Sequence, residues 1–271
     1  MGDRIPRNEK KPLLIILMLC IGFLFVAASA LGISFPHARY PTPELYNAFL
    51  PNDYANLLVC IPLLVVSTVN FLRDRSIGLI GWYASLLFIV YNSIAYATDL
   101  RNTLYLTIYM VIILVGSTEL VLLVRSPATR SLVPTEFPVR HPRLYGLIPV
   151  IMGLLFEIRA LIIIFSMVSK DATKGMQGLG VHIADTIISL VWIVSGALLL
   201  LGRKMGYPMV LITYLHGSLL FVALLVYLCL KPLLCDTTFI AMDVIVTGVM
   251  GLLFFLPTVR VLSKSLKMPN S

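Results

Sequence analysis

Seven side chains with chemical potential stand inside an otherwise apolar chain: Asn92, Glu157, Arg159, His182, Asp185, His216 and Asp243. Each falls in a long apolar run, where an ionised group costs on the order of 3 kcal/mol or more unless it is paired or hydrated. Such groups face the interior of a helical assembly and mark ion pairs, proton relays or ligand sites. A carboxylate and a histidine on adjacent helices can exchange a proton, while a guanidinium can hold an anion or lock two helices together. The segment "GLLFEIRALIIIF", residues 153–165, sharpens the question, because it sets Glu157 and Arg159 two residues apart. At about 100° per residue they point roughly 160° apart, so each needs a partner on a different helix. Arg159 is expected to pair with Asp185 or Asp243, and Glu157 with a separate polar neighbour, His216 first.

The spacing groups these residues into faces. His182 and Asp185 share one with Ser189, Trp192 and Gly196; Asp243 shares another with Thr247, Gly251 and Phe254; Asn92 follows Gly78, Gly81 and Ser85. Glu157 continues a stripe of small residues, Gly146, Pro149, Gly153 and Ala160, that suits close helix contact. Glu119 lies about a turn and a half from the end of its run, within reach of Arg125 or water. A plainer reading stands beside each of these. The histidines read as hydrogen-bonded core residues before metal or haem ligands, since they differ in depth and form no spaced ligand pair. Tyrosines near the helix ends read as interfacial anchors. No metal or cofactor is expected, and no catalytic residue is assigned.

The elements that must hold these residues follow from composition. In 271 residues, 59% are hydrophobic and 13% charged, with a mean hydropathy of +0.94, far outside the soluble globular range. Eight apolar runs span residues 12–33, 54–72, 77–98, 104–124, 145–168, 179–202, 206–230 and 237–261. Each approaches the roughly 20 residues that a helix needs to cross a hydrocarbon core. The period-two alternation of a membrane barrel is absent, so backbone groups must be satisfied within helices. The expected fold is an all-α polytopic transmembrane bundle of about eight helices.

A formal net charge of +8 would suit nucleic acid, but the basic residues sit in short clusters between apolar runs, which excludes that reading. With the N-terminus inside, fifteen Lys and Arg fall in cytoplasmic segments and five in outer ones. This bias predicts a cell-membrane protein with an even number of spans, both termini cytoplasmic and lipid as its standing partner. Ala28-Ser29-Ala30 near the end of the first run allows the alternative of a cleaved signal segment, although the run is long enough to span.

Residues 1–124 read as an N-terminal four-helix half that includes an outer loop at 34–53. This loop has four prolines among aromatic residues and is expected to be an ordered cap. Residues 125–144 read as a proline-rich cytoplasmic linker and 145–271 as a C-terminal four-helix half. Similar basic turns, "LRDRSIG" and "LGRKMG", are compatible with a four-plus-four parallel repeat. The four cysteines, Cys20, Cys60, Cys229 and Cys235, form no CxxC pair. Cys229 and Cys235 flank Pro232 and are read as free thiols before a disulfide.

"YNSIAYATDLRNTLYLTIY", residues 91–109, and "HIADTIISLVWIVSGALLLLGRKMGYPMVL", residues 182–211, resemble a family of uncharacterised prokaryotic multi-pass membrane proteins. The resemblance runs loosely over residues 55–260 and implies topology without an activity.

No P-loop, G-x-S-x-G elbow or H-E-x-x-H motif occurs, which argues against ATP-driven transport and familiar hydrolytic routes. Neither a selectivity-filter repeat nor an arginine ladder appears, which argues against a voltage-gated channel. Three classes remain open: a transporter or binding protein for a small molecule or proton; a structural or accessory protein with a closed ion-pair network; and a membrane enzyme using His and Asp. The first requires a wet cluster reachable from outside, the second a dry one. The third requires His182 or His216 within hydrogen-bond reach of Asp185 or Asp243. Oligomeric state is not legible.

Overall fold

The computed structural model describes residues 11–100, 102–132, 142–169 and 178–265. Its elements are α1 (Lys11–Ser34), α2 (Pro36–Arg39), α3 (Pro43–Ala55), a π turn (Asn56–Cys60), α4 (Ile61–Leu72), α5 (Ser76–Asp99), α6 (Thr103–Val124), α7 (Pro127–Arg130), α8 (Pro142–Ser169), α9 (Leu179–Leu200), α10 (Gly206–Leu234) and α11 (Ala241–Ser265). No strand occurs among the described residues. Among the described residues eight helices are long and apolar enough to cross a membrane, with α3, the π turn and α4 together forming the second. The chain is an all-α multi-pass membrane bundle.

The second span starts at Pro43 rather than at residue 54. Local chemistry explains the difference: Thr42 Oγ1 accepts from Leu45 N at 3.3 Å, Pro43 occupies the first turn and Glu44 places a negative charge there. Most of the expected outer loop is therefore helix. Pro51 removes a backbone donor within α3 without ending it. The π turn ends two residues before Pro62, which cannot complete the helical hydrogen-bond ladder.

Two ends of the bundle can be told apart. One, the α2 end, carries α2, Leu100, Gly178 and Cys235; the other carries the turns after α4, α6 and α9. α5 forms the axis, packing against α4, α6, α9 and α10, with Trp82, Leu86, Ile89 and Tyr96 fully enclosed. Helices from the two sequence halves thus meet directly along α5. Part of the segment after α6 folds back: α7 is capped by Ser126, and Thr129 Oγ1 bonds the Leu123 carbonyl at 2.6 Å and Tyr83 at 2.8 Å. Of the expected linker, 125–144, residues 133–141 lie outside the described residues, while α7 and the first turn of α8 are helical.

α8 and α9 make the closest pairing through the predicted small-residue stripe. A methyl group added to Gly146 would stand 2.8 Å from the Gly196 carbonyl oxygen. Backbone cannot yield as a flexible side chain can, so Gly146→Leu is expected to destabilise by about 3 kcal/mol or more. A thermal midpoint in detergent that matches the unaltered protein would contradict this.

Several tyrosines depart from the interfacial-anchor expectation. Tyr40, Tyr96, Tyr109 and Tyr214 are at most 1% exposed. Each hydroxyl has a partner inside the bundle, as a buried phenol requires.

Candidate functional site

Arg159, on α8, projects into a cleft that opens beside the α2 end, between α3, α5, the start of α9 and α10. The cleft holds about 600 Å³. Glu44, Asn52, Tyr91, Asn92 and Asp99 supply its polar lining together with Arg159. Beneath lies a smaller chamber of about 110 Å³, walled by Phe88, Phe156, Ile188, Trp192 and Phe221, with Asp185 among its lining groups. Asn52, Tyr91, Asn92, Leu224 and Tyr227 border both spaces, so the two adjoin.

Of the two acids expected to face Arg159, Asp185 does so and Asp243 does not. Arg159 Nη1 lies 3.9 Å from Asp185 Oδ2, an ion pair without a hydrogen bond. Asp185 is buried and accepts from the Tyr91 hydroxyl at 2.8 Å. The Arg159 side chain is 60% exposed, and its N–H groups make no hydrogen bond to described residues. Asp243 stands exposed in the first turn of α11. A first-turn carboxylate is stabilised by the helix N-terminus and needs no cation from the core.

Glu157 turns to Ser189 of α9, whose hydroxyl donates to it, and not to His216. The pairing follows from the α8–α9 contact, because Gly153 brings α8 against the Ser189 backbone. His216 is fully buried in α10 and accepts at Nδ1 from Trp192 Nε1 at 3.3 Å. His182 Nδ1 lies 3.9 Å from Asp185 Oδ2, too far for a hydrogen bond. Asn92, Arg159 and Asp185 therefore gather around the cleft with His182 beside them, whereas Glu157, His216 and Asp243 go elsewhere. Asp99, at the cleft edge, accepts from Gly178 N at 3.0 Å and Gly180 N at 3.2 Å and caps α9. No group of His, Cys, Asp and Glu among the described residues could hold a metal ion.

A second polar cluster is not legible from sequence patterning. Arg39 is 2% exposed, donates to the Ala28 carbonyl and the Tyr109 hydroxyl, and lies over the rings of Tyr40, Tyr96, Tyr105 and Tyr109 at 4.5–5.7 Å. Burial works against its charge, but Tyr109, Tyr40 and Asp53 outweigh that and hold its pKa above the ordinary value. Asp53, fully enclosed, accepts from Tyr40 at 2.6 Å and Tyr96 at 2.9 Å. Burial, followed by the Asp53 charge, pushes the Tyr40 hydroxyl far up, so it remains a donor. This cluster touches the cleft through Asn52, whose amide donates to Tyr96 and to Asn92 at 3.1 Å each. The one local signal is Thr42-Pro43-Glu44, a helix start that carries Asp53 about 15 Å into the second span.

Of the two partners expected for Glu119, Arg125 does not serve. Glu119 is fully buried, and neither carboxylate oxygen has a hydrogen-bond partner among the described residues. Arg125 caps the end of α6 without reaching it. Cys229 and Cys235 are free thiols; burial raises the Cys235 pKa.

The chain matches no protein-family model, no curated protein and no solved structure. The functional reading therefore rests on the geometry of the cleft.

Proposed function

We propose that this multi-pass membrane protein binds a small molecule in the cleft beside Arg159 and moves it across the membrane. One observation carries the reading: a guanidinium with unused donors faces an open space that continues down to a buried carboxylate. Ligand sites in helical membrane proteins combine such an apolar cavity with a few placed polar groups. The closed ion-pair alternative fits less well, because Arg159 lines the open cleft and makes no hydrogen bond to Asp185. The enzyme alternative lacks its acid–base contact, since His182 stops 3.9 Å from Asp185 and His216 faces Trp192.

A third space favours passage over simple binding. Below the chamber, a mostly apolar cavity of about 220 Å³ is lined by Val191, Ser195, Ile212 and Thr213. Trp192 borders the upper chamber and Ser195, one turn on, borders the lower cavity. Trp192, bonded to His216, walls the upper chamber, and Ser195, bonded to Thr213 at 2.8 Å, walls the lower cavity, so these side chains are read as the layers that separate the two spaces. Alternating access requires such a separation.

The charge bias of the connecting segments supports a reading with the α2 end outside. In a chain otherwise freed of cysteine, Asn92→Cys should then react in intact cells with a maleimide that cannot cross membranes, while Thr213→Cys should not. Labelling of Asn92→Cys from the cytoplasmic side alone would reverse the orientation. Absence of labelling from both sides would mean that the cleft is closed, and would overturn the reading.

A further inference from the structure

If the cleft is a ligand site, as proposed above, its two charges also define the kind of molecule it takes. Arg159 and Asp185 stand 3.9 Å apart without a hydrogen bond. Arg159 lines the upper space and Asp185 the lower one. Asp185 already takes one hydrogen bond, from Tyr91, and has acceptor capacity left. An anion alone would meet Arg159 but be repelled by Asp185 and by Glu44 at the rim. A cation alone would meet Asp185 but face the guanidinium. A molecule carrying both charges on neighbouring atoms offsets each, completing a four-charge arrangement in which every opposite pair is adjacent.

The chamber limits what the molecule carries besides its charges. Its walls are aromatic and aliphatic, and its volume is about 110 Å³. A cavity of about 150 Å³ in another protein accepts benzene, so this one suits a branched aliphatic group better than a ring. Asn52 and Asn92 add neutral donors and acceptors at the junction where a charged head would sit.

We infer that the ligand is a small zwitterion with a branched aliphatic side chain: its carboxylate against Arg159, its ammonium against Asp185 and its side chain in the Trp192 chamber. This inference rests on the ligand-site reading of the cleft. The cleft reads both charges and the chamber reads the size.

Three probes of nearly equal shape test this on the purified full chain: L-leucine, 4-methylpentanoate, which lacks the amine, and 3-methylbutylamine, which lacks the carboxylate. Calorimetry should show leucine binding at least about tenfold more tightly than either single-charge probe, the scale of one lost charge-assisted hydrogen bond. Leucine should change tryptophan fluorescence, and Trp192→Phe should abolish the change. Arg159→Gln should remove the advantage of leucine over the amine; Asp185→Asn should remove its advantage over the carboxylate. Equal affinity for leucine and either single-charge probe overturns the zwitterion inference, as does a fluorescence change that survives Trp192→Phe. Failure of leucine to bind overturns it as well; if Asn92→Cys is nonetheless labelled from outside, the site reading stands and only the ligand class falls. The probes on the unaltered chain decide the matter even where a variant fails to fold.

Discussion

Arg39→Ala is expected to destabilise the protein by about 3–5 kcal/mol, the loss that accompanies removal of one member of a buried charged cluster while the other stays behind. Asp53 would keep its bonds from Tyr40 and Tyr96 but lose the cation that offsets its charge. The Ala28 carbonyl and Tyr109 would lose their donor, and the space between four tyrosine rings would empty. α1, α2, α3, α5 and α6 all contribute to the cluster, so the whole N-terminal part should loosen together. Arg39→Met combined with Asp53→Asn should recover much of the loss, because an apolar chain fills the ring cage while a neutral amide still accepts from a tyrosine. Thermal unfolding in detergent measures both. A single variant as stable as the unaltered protein, or a double variant whose loss equals the sum of the two single losses, would mean that the charges are not coupled.

Much of the fold is legible in the sequence because a membrane imposes one length and one hydrogen-bonding rule on every span. Run lengths locate the eight helices, and the Gly146–Gly153 stripe locates the α8–α9 contact. That Asn92, Arg159 and Asp185 come together is legible in part, because a charge or amide in an apolar run is expected to face inward. Partners are harder to read. Helical phase says which way Glu157 points but not that Ser189 lies there, since that depends on how α9 is rotated against α8. Arg39 and Asp53 are hidden by their setting: four prolines make residues 34–53 look like a loop. Hydropathy averaging weakens over "PELYNAFLPND", where polar side chains dilute a span whose interior face needs them. Asp243 misleads for the opposite reason, because its place near the start of an apolar run gives it a face without showing that the face is exposed.

Arg159→Ala should leave stability nearly unchanged while impairing function, and Asp185→Ala should damage both. The ion pair is open to the cleft, with Arg159 60% exposed and the charges 3.9 Å apart without a hydrogen bond. A pair of this kind contributes about 0–1 kcal/mol, because water replaces the lost partner. Asp185 differs: it is buried and holds the Tyr91 hydroxyl at 2.8 Å, so its removal strands a donor at a cost of about 1–3 kcal/mol. Ligand binding or uptake into vesicles should fall by about 10- to 100-fold in either variant, since each removes a charge-assisted contact. A closed structural network gives the opposite pattern. There both residues would be dry, either truncation would cost about 3–5 kcal/mol, and replacing the pair together with apolar residues would restore the fold. Unfolding midpoints of the two single variants therefore separate the classes without any knowledge of the ligand. A large loss for Arg159→Ala would show that water does not reach its guanidinium and that the cleft is shut in the membrane; a small one, beside a clear loss for Asp185→Ala, is what an open site requires.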